Sequence, residues 1–331
     1  MTTLDPDELR NRLGELLDGR RLAEIDQRPC PYRTSYELDE LDVRLDDGTS
    51  LALVLKRLGR SALDPAARRA KPAFLHDPLR EIEVYRSLLE PAGLGTPRFH
   101  GAVVEPSDDR YWLLIENVAG EVLWQVGELD VWREAARWLA VLHDRFRDRV
   151  PESARTHLLR YDAGFYASWM QRALEFADAD RRSELEAIAK RYDEVVERLA
   201  ALRATFIHGE FYASNVLIQR GDGRVRIAPI DWENAALGPG VVDLAALTTG
   251  GWNDAERAEI ARGYAEQSSA LGEDLDPREL REALDLARLH LAIQWLGWDP
   301  GWSPPAEHRQ DWLGEAVSIA RRTGLVDANP N

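Results

Sequence analysis

A single cysteine, Cys30, in 331 residues excludes an internal disulfide and fits a chain kept in a reducing compartment. No histidine lies near it in sequence, so the thiol reads as a small packing residue and not as a nucleophile. No apolar run approaches the roughly 20 residues that a membrane-spanning helix needs. The opening MTTLDPDELR has neither a basic n-region nor an apolar h-region, so no secretory signal is expected and the cytoplasm is the expected location. Positive charge is short as well. The 42 Lys and Arg face 58 Asp and Glu, a formal −16, and a surface of that sign repels a phosphate backbone. Nucleic acid and membrane are therefore not expected partners. The deficit is uneven: residues 231 to 331 hold 8 basic and 18 acidic residues, a net of −10. Such a surface favours solubility and steers cations. Internal repeats and low-complexity stretches are also lacking.

What is present is an ordinary soluble composition, 44% hydrophobic and 30% charged, on a chain long enough for two lobes and a sizeable core. The most informative stretch is Thr205 to Leu247, TFIHGEFYASNVLIQRGDGRVRIAPIDWENAALGPGVVDLAAL. Phe206 and Ile207 end an apolar strand, and His208-Gly209 turns it. Glu210 and Asn215 follow on a short loop. VLIQ and VRIAPI alternate on either side of the glycine turn RGDGR, which predicts a β-hairpin. The hairpin places Asn215, at its start, beside Asp231, at its end. Two carboxylates and an amide at one sheet edge form a cradle suited to Mg²⁺, which takes a few such oxygens together with phosphate and water.

The pattern H-G-E-x-x-x-x-N followed by I-D-W resembles the catalytic segment of the aminoglycoside phosphotransferase and choline kinase families, relatives of the protein kinases. The resemblance implies Glu210 as the catalytic base, where those families usually have Asp. It implies Asn215 and Asp231 as the Mg²⁺ ligands and His208 as a structural residue. Asp243, in GPGVVDLA, matches the aspartate that braces the catalytic loop from the following helix. The competing reading is an ordinary hairpin with polar loop residues.

Upstream, residues 4–19 predict a helix capped by Asp5 ahead of Pro6. The alternating stretch from Tyr32 to Leu58 predicts two strands joined by the turn DDGTS. The second strand carries Lys56, which by resemblance binds the α- and β-phosphates and pairs with a helical glutamate. DPLREIEVYRSLLEP predicts that helix, capped by Asp77; Glu81 matches the family position and Glu83 is the solvated one. The candidate phosphate loop, RPCPYRTSY, holds two prolines and no glycine, so the hydroxyls of Thr34 and Ser35 are the groups left to replace missing amides. TPRFHGAVVEP and RYWLLIENVAG predict two more strands. Residues 115–118 then fall at the family's interlobe linker, which makes Glu116 and Val118 the expected nucleotide-holding backbone.

From Val131 onward helical periodicity dominates. Trp138, Leu139 and Leu142 suit a buried face, and His143 reads as a helix-end residue. Tyr161, Phe165, Tyr166 and Trp169 form an aromatic cluster that core packing explains. WDPGWSPP reads as a rigid loop, either a wall of an acceptor pocket or a clamp for the last helix. The resemblance implies a two-lobed, protein-kinase-like α+β fold, with a nucleotide-binding lobe over 1–116 and a helical lobe over 117–331. The implied enzyme is an ATP- and Mg²⁺-dependent phosphotransferase acting on a hydroxyl of a small molecule, cationic acceptors included. Two alternatives remain at this stage. One is a degenerate kinase fold that binds without catalysis. The other is a different reaction on the same fold, such as modification of a peptide or nucleotidyl transfer. Neither the acceptor, nor ATP over GTP, nor the oligomeric state is legible.

Overall fold

A computed structural model of the chain describes residues 5–31, 35–221, 223–301 and 308–327. Thr34 and the WSPP part of the tryptophan-rich loop lie outside them. Helix Pro6–Leu16 is capped by Asp5, whose side chain accepts from the Asp7 N–H at 3.1 Å. Its Leu9 and Leu13 join Leu41, Leu53 and Trp112 in a small core of their own. That core covers one face of an antiparallel sheet made of β1 (Leu22–Pro29), β2 (Glu37–Leu45), β3 (Ser50–Arg57), β4 (Phe99–Glu105) and β5 (Arg110–Glu116). The strand order is β1-β2-β3-β5-β4. The sequence reading has no counterpart to β1. It is an edge strand with little burial, held to β2 by pairs such as Arg28 with Glu40 at 2.8 Å, so it lacks the alternation that marks a half-buried strand.

After β3 the chain makes a detour through residues 60–77, with a short helix Pro65–Ala70 and a turn Ala73–Leu75. It then enters a helix that begins at Arg80, later than Pro78, while Asp77 accepts from the Leu79 N–H at 2.9 Å. This helix widens into a π-helical turn over Tyr85–Leu89 and ends with Glu90–Ala92. Pro91 lacks the N–H that would close a regular turn, which accounts for the widening.

The remainder is mainly helical, around two small sheets. β6 (Glu121–Val122) adds to the hairpin of β9 (Val216–Gly221) and β10 (Arg224–Pro229). The other sheet is made of β7 (Leu159–Arg160), β8 (Ala204–Ile207) and β11 (Ala236–Pro239), in the order β7-β11-β8. Helices Leu129–Phe146, Ala163–Phe176, Val241–Leu247 and Pro277–Leu296 close over them with Leu139, Trp169, Leu244 and Leu291 fully buried. Each such side chain contributes roughly 1.5–3 kcal/mol of burial. The two regions are tied together by Arg80, which donates to the carbonyls of Leu75 (2.9 Å), His157 (2.7 Å) and Glu233 (2.6 Å). A second tie is Arg226, whose guanidinium forks onto both Glu116 oxygens at 2.8 Å. None of the described helices is long and apolar enough to cross a membrane.

Candidate active site

β8 carries Phe206 and Ile207 into the core and stops at His208-Gly209. Gly209 has φ +83°, and a Cβ there would lie 2.3 Å from the Asn234 carbonyl oxygen, so the turn requires glycine. Asp243, fully buried in the first turn of its helix, accepts from the backbone N–H of His208 at 2.8 Å and of Gly209 at 2.9 Å. His143 Nε2 lies 3.2 Å from the same carboxylate, and His143 Nδ1 lies 3.0 Å from the Tyr264 hydroxyl. The Tyr161 hydroxyl donates to the Gly209 carbonyl at 3.3 Å. His208 is itself buried, with Nε2 donating to the Ile230 carbonyl at 2.9 Å and Nδ1 accepting from the Glu210 N–H at 3.3 Å. Burial lowers its pKa and keeps it neutral, so it holds the loop and carries no charge.

This frame presents Glu210, half-buried. Asn215 Nδ2 donates to the Glu210 carbonyl at 3.0 Å, which leaves Oδ1 as the Asn215 atom for a cation. The hairpin register, Val216 opposite Pro229 and the Ile230 N–H on the Asn215 carbonyl at 2.9 Å, brings Asp231 alongside. Asp231 has φ +65°, a left-handed conformation that costs a non-glycine residue on the order of 1–2 kcal/mol. Trp232 offsets that strain. Its buried ring stacks on Phe206 at 5.5 Å and sits 4.4 Å from His208, its indole N–H donates to the Pro229 carbonyl at 3.2 Å, and its backbone N–H donates to Glu81 Oε1 at 3.2 Å.

Lys56 Nζ lies 2.6 Å from Glu81 Oε2 and 2.5 Å from Asp231 Oδ1. One ammonium thus joins β3, the helix after the detour and the end of β10. Burial opposes its charge, but Asp231, Glu81 and Glu233 together hold its pKa above the ordinary lysine value. Burial likewise opposes the Asp231 carboxylate, and Lys56 outweighs it and holds the pKa below the ordinary range. Glu81 is pushed up to about 7 by burial, with Lys56 pulling the other way. Glu210 is also raised to about 7, by burial first and the nearby Glu233 second, against the Asn234 side chain and Lys71. Glu83 pairs instead with Arg86 and Ser87 on the outer side.

The structure therefore brings Lys56, Glu81, Glu210, Asn215, Asp231, His208 and Asp243 to one place. Ser35 sits two residues before β2, its carbonyl accepting the Asp64 N–H at 2.9 Å. The Glu116 N–H donates to the Arg98 carbonyl at 2.9 Å. Val118 is buried two residues on. Sequence reasoning missed the bracing role of His143, the packing role of Trp232, and Lys71, which pairs with Glu233. His143 and Trp232 join the site only through tertiary packing. Lys71 had a usable signal, since the chain holds only three lysines.

A sheet-rich N-terminal region, a helical remainder and a lysine bridging a helical glutamate and a strand-end aspartate define a protein-kinase-like α+β fold. The sequence profile of the phosphotransferase enzyme family, APH, matches residues 37–283, and the chain belongs to that family. It is a phosphotransferase. A choline kinase from Cryptosporidium parvum Iowa II superposes with a TM-score of 0.59 at 15% identity, over 96% of this chain and 94% of that one. A putative aminoglycoside phosphotransferase from Ralstonia eutropha JMP134 does so with a TM-score of 0.60 at 15% identity, over 98% and 96%. The GDP complex of wild-type aminoglycoside 2'-phosphotransferase-IIIa gives 0.58 at 14%, over 97% and 98%. At these identities the likeness is one of fold. Among curated proteins, none matches the sequence.

Proposed function

We propose that this phosphotransferase moves the γ-phosphoryl group of ATP to a hydroxyl of a small molecule, with Mg²⁺ held by Asn215 and Asp231. The division of labour follows the two lobes, 1–116 for the nucleotide and 117–331 for the catalytic loop and acceptor. The observation that carries this reading is Lys56 bridging Glu81 and Asp231 beside the braced Glu210 loop. The residues fit the metal. Among the described residues no three His, Cys, Asp or Glu cluster as a cage, and an amide oxygen plus an ionised carboxylate suits a cation that completes its shell with phosphate oxygens and water. When bound, Mg²⁺ would neutralise charge building up on the transferring group.

Lys56, fixed by Glu81, would contact the α- and β-phosphates once Asp231 turns to the metal. The carbonyl of Glu116 and the N–H of Val118 would hold the base, with Ser35 near the phosphates. Glu210 would accept the acceptor proton. Because the transition state is loose, its main work is to orient the hydroxyl, and an extra methylene relative to Asp is tolerated if the loop is built around it. The Asp243 brace is what builds the loop so. Relatives in the same fold include structures with GDP and with ATP plus streptomycin, so nucleotide use fits, and the choice of ATP is ours. Calorimetry of ATP with and without Mg²⁺ tests the metal assignment. Asp231→Asn is expected to remove most of the Mg²⁺-dependent affinity; equal affinity in wild type and variant dismisses it.

A further inference from the structure

The detour over residues 60–77 does more than connect β3 to the next helix. Of the three lysines in the chain, Lys56, Lys71 and Lys190, two meet here on one aromatic ring. Lys56 Nζ lies 5.6 Å and Lys71 Nζ 5.1 Å from the centroid of Tyr36. The Lys71 side chain is only 5% exposed, and a lysine is almost never buried so far without a charge partner. Its partner is Glu233, whose side chain is 11% exposed and which lies two residues beyond Asp231. The detour has further footholds on the helical lobe. Phe74 packs edge-on to Trp169 at 5.7 Å and to Phe165 at 6.1 Å. His157 Nδ1 lies 3.0 Å from Asp77 Oδ2, and Arg80 reaches the Glu233 carbonyl. The segment is thus a strap from the sheet to the turn that carries Asp231, and Lys71 is its one charged plug into the site.

The site holds four carboxylates, Glu81, Glu210, Asp231 and Glu233, and Lys56 is engaged by two of them. That leaves Glu233 with Lys71 as its balancing charge. A buried ion pair stripped of one partner leaves an uncompensated charge. Here that charge would fall on the turn Trp232–Asn234, whose Asn234 carbonyl lies against Gly209 at the head of the Glu210 loop. We propose that Lys71 is a positioning residue of the transfer centre, pairing with Glu233 so that the turn Trp232–Asn234 keeps its Asn234 carbonyl against Gly209 and holds the Glu210 loop in line. The inference rests on the phosphotransfer reading above. It assigns Lys71 no contact with substrate; its effect runs through Glu233.

The test is a set of variants assayed for kcat, for the KM of Mg·ATP and for melting temperature, with an accepted hydroxyl compound or water as phosphoryl acceptor. Lys71→Met is expected to lower kcat by about tenfold or more while the KM of Mg·ATP stays within about threefold. Lys71→Arg, which keeps the charge, should retain more of kcat than Lys71→Met. The double variant Lys71→Met/Glu233→Gln leaves no unpaired charge and should recover most of the kcat lost by Lys71→Met. Lys190→Met, at the exposed third lysine, should behave as wild type. If Lys71→Met fails to fold, the double variant decides, because it removes the unpaired charge and keeps the volume. The proposal is overturned if Lys71→Met turns over like wild type. It is equally overturned if Lys71→Met loses Mg·ATP affinity in step with kcat, or if the double variant is no better than Lys71→Met. In those cases the phosphotransfer reading stands, because wild type is active. A wild-type chain that neither binds nor turns over Mg·ATP overturns both.

Discussion

Replacing Asp243 by asparagine tests the frame that presents the base. The wild-type carboxylate is an acceptor on both oxygens and serves three donors: the His208 N–H, the Gly209 N–H and His143 Nε2. The two backbone donors use different oxygens, so an asparagine that satisfies one of them turns its NH₂ on the other. One buried N–H is left facing a donor, and two charge-assisted hydrogen bonds become neutral. A hydrogen bond to a charged group contributes about 1.5–3 kcal/mol, and an orphaned buried donor costs about 1–3 kcal/mol. Losing the buried charge itself returns part of this, so the expected net loss is about 3 kcal/mol. At roughly 2.1 cal/mol/K per residue of unfolding entropy, that is a fall of about 4 °C in Tm for a chain of this length. The same change loosens Gly209 and shifts Glu210; a displacement of about 1 Å in a catalytic group costs on the order of 10²-fold in rate. Calorimetric melting and kcat on one acceptor measure both. A variant that melts within about 1 °C of wild type and keeps its kcat would refute the brace, because no buried mismatch of this kind is that small.

Three further outcomes follow from the electrostatics. Glu210 is raised to about 7 by burial and Glu233, so kcat/KM should climb as pH rises through about 7 and fall below it, and Glu210→Gln should lack that limb. The sign for stability is opposite: a raised carboxyl pKa adds stability that is fully present below the unfolded value and is lost as pH rises through about 7, so Glu210→Gln should melt higher than wild type at pH 8 and not at pH 4. The acidity of residues 231–331, a net of −10, should draw a cationic acceptor, so kcat/KM for such a compound should drop with added salt while that for a neutral one holds. A panel in which only neutral or anionic compounds are phosphorylated would dismiss the steering.

The parts of the site that sequence exposes are those fixed by short spacing. Glu210 and Asn215 share one loop, and the glycine turn of RGDGR sets the register that brings Asp231 back. The alternation around Lys56 and the capped helix of Glu81 show only a strand and a helix; that the two residues pair is what the family resemblance implies, and the structure brings them together. The missing pieces depend on distant chain meeting. Lys71 and Glu233 lie 162 residues apart, and nothing local to either marks an ion pair. His143 looks like any residue in the last turn of a helix until Asp243, 100 residues on, is folded against it. β1 stayed hidden for a different reason: an edge strand with both faces largely wet shows no alternation to read. The aromatic cluster of Tyr161, Phe165, Tyr166 and Trp169 is packed in the core, as composition suggested, but Tyr161 also reaches the Gly209 carbonyl. Trp295, in the helix before the tryptophan-rich loop, stacks on Trp312 of the last helix at 5.3 Å, while the WSPP part of that loop lies outside the described residues.

The measurement that bears most directly on the account is transfer of labelled γ-phosphate from Mg·ATP to a panel of hydroxyl compounds by wild type and by Glu210→Gln, with ATP affinity measured on both. The account predicts a labelled product with wild type, loss of turnover by on the order of 10²-fold or more in Glu210→Gln, and unchanged Mg·ATP binding. Turnover by Glu210→Gln equal to wild type would contradict the role given to this residue, and a wild-type chain that binds Mg·ATP but labels no acceptor where Glu210→Asp does would mark a kinase fold kept for binding.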